Sequence, residues 1–225
     1  IKDTHTYYFY PNGKGSENKM EFNGYTSLIG KYKNCFDTDR ISKACAYSRG
    51  VSQEVILQEW NEKKELSIDY GNLIHDSITD MFDTGVINQE CSRELDLLME
   101  TLDMYDLEMV ASEYLIYNES IKRASSVDAI CNKDSLVIVD WKTNLSGLKY
   151  KGYNNAKMLY PLNHIPDCNY YHYSLQLSFY RHTLEQLGFK LDDRQYICYF
   201  NGEDWDMIYV PYYKQEVENI IEYET

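Results

Sequence analysis

Asp140 and Lys142 flank Trp141 at the end of a fully apolar run, Leu136-Val137-Ile138-Val139. Side chains two apart on a strand project to the same face, so this carboxylate and this ammonium converge on one point. An isolated Asp-x-Lys is ordinary on a solvated sheet. At the end of a strand apolar on both faces, solvent-facing charges are not expected. A second strand carries Asp128 within Ser126-Val127-Asp128-Ala129-Ile130, and Asn132-Lys133-Asp134-Ser135 has the composition of a tight turn between the two. A hairpin centred near Asp134 sets Asp128 opposite Asp140, about 5 Å apart at Cβ. One strand earlier, joined through Asn118-Glu119-Ser120, Glu113 reaches the same level. Facing carboxylates repel and call for a cation, and carboxylate oxygens select hard ions such as Mg²⁺ or Mn²⁺. Such an ion polarises a phosphodiester and acidifies its bound water, while a neighbouring lysine offsets charge in the transition state.

Several elements must hold these groups in place. Residues 1–24 read as a strand-like lead with Pro11-Asn12-Gly13 as a turn, and residues 25–105 read as helical. Asp37 caps a helix that Gly50 ends, and Ser52 caps the next, which carries Val55, Ile56, Leu57 and Trp60. A further helix holds Gly71-Asn72-Leu73-Ile74-His75, and another covers Leu95 to Leu102. Strands follow over Glu108–Tyr117, Ala124–Cys131 and the Asp140 run. Residues 143–170 form a long irregular insertion, and a helix over Tyr173–Leu187 presents the stripe Tyr173, Leu177, Tyr180, Leu184, Leu187 before Gly188. Strands at Gln195–Phe200 and Trp205–Val210 and a short helix complete the chain. The expected fold class is α/β, one domain over residues 1–225, with a helical front (25–105) and a sheet core (106–225) that carries the motif helix 173–187.

The 225 residues suffice for a full hydrophobic core, and a hydrophobic share of 44% excludes a disordered chain. No apolar run of about 18 residues is present, so no membrane span is expected. Ile1-Lys2-Asp3 and the residues after it do not read as a signal peptide, which makes a cytoplasmic setting the default. The net charge of −14 argues against a general nucleic-acid binder. It is unevenly spread, however: residues 51–113 carry −13, whereas residues 1–50 and 114–160 carry +3 each. Basic surface can therefore meet phosphates locally, with affinity that falls as salt rises. Two basic stretches interleave with aromatics, Lys31-Tyr32-Lys33 and Lys149-Tyr150-Lys151-Gly152-Tyr153, a pattern suited either to phosphate contact with base stacking or to solvated loops. The six cysteines lie at least ten positions apart, so they read as free thiols rather than a zinc site. His5, His164, His172 and His182 read as surface or packing residues.

The Asp128 strand, the Leu136 to Thr143 strand and Gln176-Leu177-Ser178-Phe179-Tyr180, in that order, resemble the RecB-type branch of the PD-(D/E)XK nucleases. Gly71-Asn72-Leu73-Ile74-His75 is similar to that branch's histidine-bearing helix. Tyr25-Thr26-Ser27-Leu28-Ile29 is similar to the opening of its phage-encoded and mitochondrial exonucleases. The resemblance spans roughly residues 25–185 and implies a restriction-endonuclease-like core, a mixed central sheet flanked by helices.

It also implies roles. Asp128, Asp140 and the Trp141 carbonyl would hold Mg²⁺ or Mn²⁺, Glu113 would support that metal or its water shell, His75 would be an additional ligand or a contact to the cut strand, and Lys142 would act on the attacking water. Gln176 and Tyr180, four apart on one helix face, would orient the site or touch the DNA backbone. Lys31, Lys33, Lys149 and Lys151 are the candidate DNA contacts. Several relatives bind an iron–sulfur cluster through one early cysteine and three late ones. Cys168 and Cys198 stand alone late in this chain, so no such cluster is expected. The implied function is metal-dependent cleavage of single-stranded DNA or DNA with free ends, foremost as an exonuclease in phage-type recombination, replication or repair. The alternatives are a structure-specific endonuclease, or a nuclease-like protein that binds DNA or a replication or recombination partner without turnover.

Overall fold

The computed structural model describes residues 6–10, 19–132, 134–144 and 146–224. The expected turn at Pro11-Asn12-Gly13, and His5, lie outside them. Among the described residues, seven strands form one mixed sheet: β1 (Thr6–Phe9), β2 (Met20–Gly24), β3 (Met109–Asn118), β4 (Arg123–Cys131), β5 (Leu136–Lys142), β6 (Leu191–Phe200) and β7 (Trp205–Tyr209). The order is β1-β2-β4-β5-β6-β7, and β3 pairs with β4 beside that path. Pairings β2–β4 and β5–β6 are parallel and the others antiparallel. Helices flank the sheet: α1 (Tyr25–Gly30), α2 (Thr38–Arg49), α3 (Gln53–Thr84), α4 (Ser92–Met104), α5 (Asn169–Gln186) and α6 (Lys214–Glu224). This is a mixed α/β fold, compatible with the restriction-endonuclease-like class.

Alternation along the strands separates two cores. On β5, Ile138 belongs with α5 residues Leu175, Leu177 and Phe179, and with Val217 and Ile220 of α6. Val137, Val139 and Trp141 belong with Ile74 and Ile78 of α3, and with Leu95, Leu98 and Leu102 of α4. β6 divides the same way, Ile197 and Tyr199 to the α5 side, Tyr196, Cys198 and Phe200 to the α3 side. β5 is thus buried on both faces, as its unbroken apolar run requires.

Helix boundaries follow local chemistry. Asp37 accepts from the Arg40 amide at the start of α2, and Gly50 ends that helix at φ 65°. Ser52 stands before α3, and Gly85 closes it at φ 73°. One correction concerns α3. The Ser52-capped helix and the helix bearing Gly71 and His75 are a single element of 32 residues. No proline or stop signal separates them, and Gly71 continues the helix instead of breaking it.

A second correction concerns α5, which begins at Asn169, four residues before the expected start. It is buried through most of its circumference from Ser174 to Leu184, because the β5–α5–β6 crossover lays it on the sheet beneath α1 and α6. Leu187, the last residue of the expected stripe, is exposed beyond the helix end. The insertion at 143–170 holds a 3₁₀ turn at Tyr153–Asn155 and one β-bridge, Lys157 to Pro166. Among the cysteines, Cys91, Cys131, Cys168 and Cys198 are buried thiols, and Cys35 is exposed. No helix among the described residues is long and apolar enough to cross a membrane.

Candidate active site

The site forms where β4 and β5 part. Their antiparallel ladder runs from Cys131↔Val137 to Ala129↔Val139. One step further on, where Asp128 and Asp140 face each other, the Asp128 carboxylate replaces a backbone carbonyl. Its Oδ2 accepts the Trp141 N–H at 2.9 Å. Trp141 itself packs against Trp205, 1% exposed, and so anchors the end of β5.

β3 brings Glu113 to the level of Asp128, since Ser112 pairs with Ala129 and Tyr114 with Val127. Glu113 sits at φ 46°, unusual for a residue with a long side chain, and a strained backbone of this kind is a common mark of functional sites. From the opposite direction α3 offers His75, whose Nδ1 lies 3.7 Å from Asp128 Oδ2. Potential ligand atoms of His75, Glu113 and Asp128 all lie within 4.8 Å of one another, close enough to hold one metal ion. α3 is seated there by a Thr79–Ser112 hydroxyl contact of 3.0 Å and by close approach at Gly71. A Cβ at Gly71 would stand 3.3 Å from Thr143 Oγ1.

Asp140 and Lys142 form the other half. Asp140 is fully buried; its Oδ2 lies against the Lys142 ammonium, and its Oδ1 accepts from Gln176 Nε2 at 3.3 Å. Lys142 Nζ also donates to the Trp141 carbonyl at 3.0 Å and sits 5.0 Å from the centre of the Tyr173 ring. Gln176 reaches the Tyr180 hydroxyl at 2.5 Å, and that hydroxyl meets Ser125 Oγ at 3.0 Å. This chain of partners ties α5 to both β4 and β5, and it gives the buried Gln176 the partners it requires.

The electrostatics express unmet anionic charge. Burial pushes the Asp128 carboxyl up to about 6, and Lys142 offsets only part of that; Glu113 adds to it. Asp140 is pushed up to about 7, by burial first and by Asp128 as well. Burial works against the Lys142 charge, yet Asp140 and Asp128 together outweigh it and hold the ammonium above its ordinary range. His75 is held below its usual value by burial and by Lys142, which keeps the imidazole neutral and available as a ligand. The Asp128 and Glu113 carboxylates and a neutral His75 around one point, with the buried Asp140 beside them, fit a divalent cation.

The structure brings Asp128, Asp140, Trp141, Lys142, Glu113, His75, Gln176 and Tyr180 together. The four DNA-contact candidates lie elsewhere and differ among themselves. Lys31 is ion-paired with Glu224, which also receives Tyr32 and Arg123. Lys33 is half-buried and its charge is disfavoured by burial. Lys149 and Lys151 are exposed. Sequence reading missed two neighbours. Tyr173 shares the Gln176–Tyr180 face at helical spacing and was legible there. Tyr7 of β1 bonds to Ser125, and Glu113 and Asp128 bear on its hydroxyl; no local signal could have linked it to residues more than a hundred positions away.

No family profile matches the sequence, and no curated protein matches it. Among solved structures, a protein from Eubacterium rectale provisionally named an exonuclease is similar at 14% identity and a TM-score of 0.39, over 88% of this chain and 68% of that one.

Proposed function

We propose that this chain is a Mg²⁺- or Mn²⁺-dependent deoxyribonuclease of the PD-(D/E)XK type, acting on DNA ends as an exonuclease in phage-type recombination, replication or repair. The observation that carries this reading is the Lys142 ammonium lodged between Asp140 and the Trp141 carbonyl, beside the His75–Glu113–Asp128 cluster. His75, Glu113 and Asp128 would hold the ion, with Asp140 and the Trp141 carbonyl completing the set. A bound divalent ion supplies charge for the phosphoryl oxygens and a more acidic water.

The chain's own residues do the rest. Lys142 orients the attacking water and offsets negative charge as the phosphodiester opens. Gln176, fixed by Tyr180, holds Asp140 so that Lys142 is aimed at the reacting centre. Lys149 and Lys151, with Lys31 and Lys33, steer the DNA backbone. Residues 1–225 act as one nuclease unit.

The test uses end-labelled single- and double-stranded DNA, free or blocked at each end, with Mg²⁺, Mn²⁺ or EDTA. Metal-dependent shortening from free ends supports an exonuclease. Cutting of doubly blocked substrates makes it an endonuclease instead, and binding without any cleavage reduces it to a nuclease-like binding protein.

A further inference from the structure

The first half of α3 has no catalytic assignment. Between Gln53 and Tyr70 its only buried residue is Ile56, so this half stands away from the sheet. Between it and the chain that follows β5 lies a cavity of about 290 Å³, lined by Trp60, Lys63, Lys64, Ser67 and Ser146. Trp60, Lys64, Ser67, Gly71 and His75 follow one another at spacings of three and four, so they share one face of the helix. That face begins at the cavity, passes the close contact of Gly71 with Thr143, and ends at the metal cluster.

The two lysines are out of place in their segment. Residues 51–113 carry sixteen acids and three bases, and Lys63 and Lys64 are two of the three. A helix so rich in glutamate would ordinarily pair them. The nearby acids are engaged elsewhere: Glu59 holds Arg49 at 2.6 Å, Glu62 accepts from Gln58 and Glu65 from Asn61. Among the described residues neither ammonium has a carboxylate partner. Beside them, Trp60 is half-buried and leans on Phe36, with ring centres 6.0 Å apart and Phe36 60% exposed. Paired cations next to an accessible aromatic face are the elements of a single-strand site, phosphates on the ammonium groups and a base on the ring.

We propose that this cavity is a binding subsite for single-stranded DNA, seating one nucleotide of the strand whose scissile bond lies at the His75–Glu113–Asp128 cluster. The inference rests on the nuclease reading for the position of the cut, and its binding does not depend on turnover. The cavity is at the small end for ligand pockets, which suits one unpaired nucleotide and excludes a duplex. Along α3, Lys64 stands eleven residues from His75, about 16 Å. At roughly 3.4 Å per nucleotide of a stacked strand that is about five nucleotides, fewer if the strand is stretched. The subsite therefore grips the strand several nucleotides from the bond being cut and sets a minimum length for tight binding.

Trp60 makes the test direct. Of the three tryptophans, Trp141 and Trp205 are 1% and 4% exposed, so a ligand that stacks in this cavity reports through Trp60. Oligothymidylates of two to twelve nucleotides are titrated with EDTA present, following tryptophan fluorescence and, with labelled oligomers, anisotropy. The expected result is quenching that a duplex of equal length does not produce, with affinity rising steeply between about three and six nucleotides. Trp60→Ala weakens binding about tenfold, Trp60→Phe abolishes the quench but keeps most of the anisotropy-measured affinity, and K63A/K64A lowers the salt slope by about 1.4. Absence of quenching, or a K63A/K64A variant that binds as the parent does, overturns the subsite. Hydrolysis of thymidine 5′-(p-nitrophenyl phosphate) by the parent with Mn²⁺ tests the nuclease reading separately. Turnover of that small diester without quenching leaves the nuclease and removes the subsite; quenching without turnover does the reverse.

Discussion

The Trp141 amide donates to Asp128 Oδ2 at 2.9 Å, at the position where the β4–β5 ladder would otherwise place a backbone acceptor. The same oxygen lies 3.7 Å from His75 Nδ1, so this one carboxylate serves both the sheet and the cluster with His75 and Glu113. The site is built into the point where two strands separate. Its geometry is inherited from the sheet rather than from a loop, and loss of the Asp128 charge can be tested apart from loss of the fold.

That separation gives the first prediction, for Asp128→Asn in EDTA. Asn retains an oxygen for the Trp141 N–H but carries no charge. The folded-state pKa of Asp128, about 6, lies above the ordinary 3.8, so the folded protein binds the extra proton in that window. Stability from this group therefore falls as pH rises from about 4 to 6, and the full penalty remains above it. The difference of roughly two pKa units corresponds to about 3 kcal/mol. Denaturant melts should find the variant more stable than the parent by up to about 3 kcal/mol at pH 8, and by about half as much at pH 5. Mn²⁺ at about a hundredfold over its Kd should raise the parent by about 2.7 kcal/mol and the variant by far less. A gap that widens as pH falls would contradict the assignment.

Much of this site was legible because strand registers are discrete. The antiparallel register of Ala129 with Val139 sets the level at which Asp128 faces Asp140, and a one-residue slip would have turned every side chain over. The apolar run before Asp140 likewise foretold a strand buried on both faces. What could not be read was conformational or distant in the chain. Nothing in Ser112-Glu113-Tyr114 announces the left-handed backbone at Glu113, because that strain is maintained by tertiary packing. The continuity of α3 was not read either: the helix carrying Trp60 and the helix carrying Gly71 were expected as two, although no stop signal lies between them, not even at Gly71. In the structure Gly71 is the place where the helix must approach Thr143 closely.

Gly71 supplies the second prediction. Elsewhere in a helix interior, replacing Gly with Ala stabilises by up to about 1 kcal/mol. Here a Cβ meets Thr143 Oγ1 at 3.3 Å, so Gly71→Ala should be close to neutral. Gly71→Val adds two methyl groups against the same neighbour and should lift α3, carrying His75 away from Asp128. Calorimetric titration with Mn²⁺ should show at least about a tenfold loss of affinity for Val, with helical circular dichroism retained. Parent-like affinity in Gly71→Val would remove His75 from the ligand set.

The lysines outside the site should separate by their present partners. Lys149 and Lys151 are exposed, and replacing both with Ala should reduce the salt slope of single-strand binding by about 1.4, the release from two phosphates. Lys31 already neutralises Glu224, so Lys31→Ala should change the slope by much less. Anisotropy between 50 and 200 mM salt, roughly the range over which such slopes are resolved, checks both. A larger effect from Lys31 than from the Lys149–Lys151 pair would reverse the proposed path of the strand.

The fourth prediction divides Asp140 from Lys142, which lie in contact yet carry different proposed duties. Asp140→Asn removes a charge next to the metal cluster and leaves the buried Lys142 without its nearest counter-charge. Metal affinity and cleavage should fall together. Lys142 is assigned to the attacking water and to charge that develops only as the phosphodiester opens, an interaction that matters in the transition state. Lys142→Ala should therefore lose about a hundredfold or more in cleavage rate, the scale of one transition-state stabiliser. It should bind Mn²⁺ at least as tightly as the parent, because a positive charge beside Asp140 and Asp128 has gone. Calorimetry for the ion and single-turnover cleavage for the rate measure the two effects separately. If Lys142→Ala cleaves DNA at the parent rate, the ammonium has no part in the chemistry and serves only to neutralise two buried carboxylates.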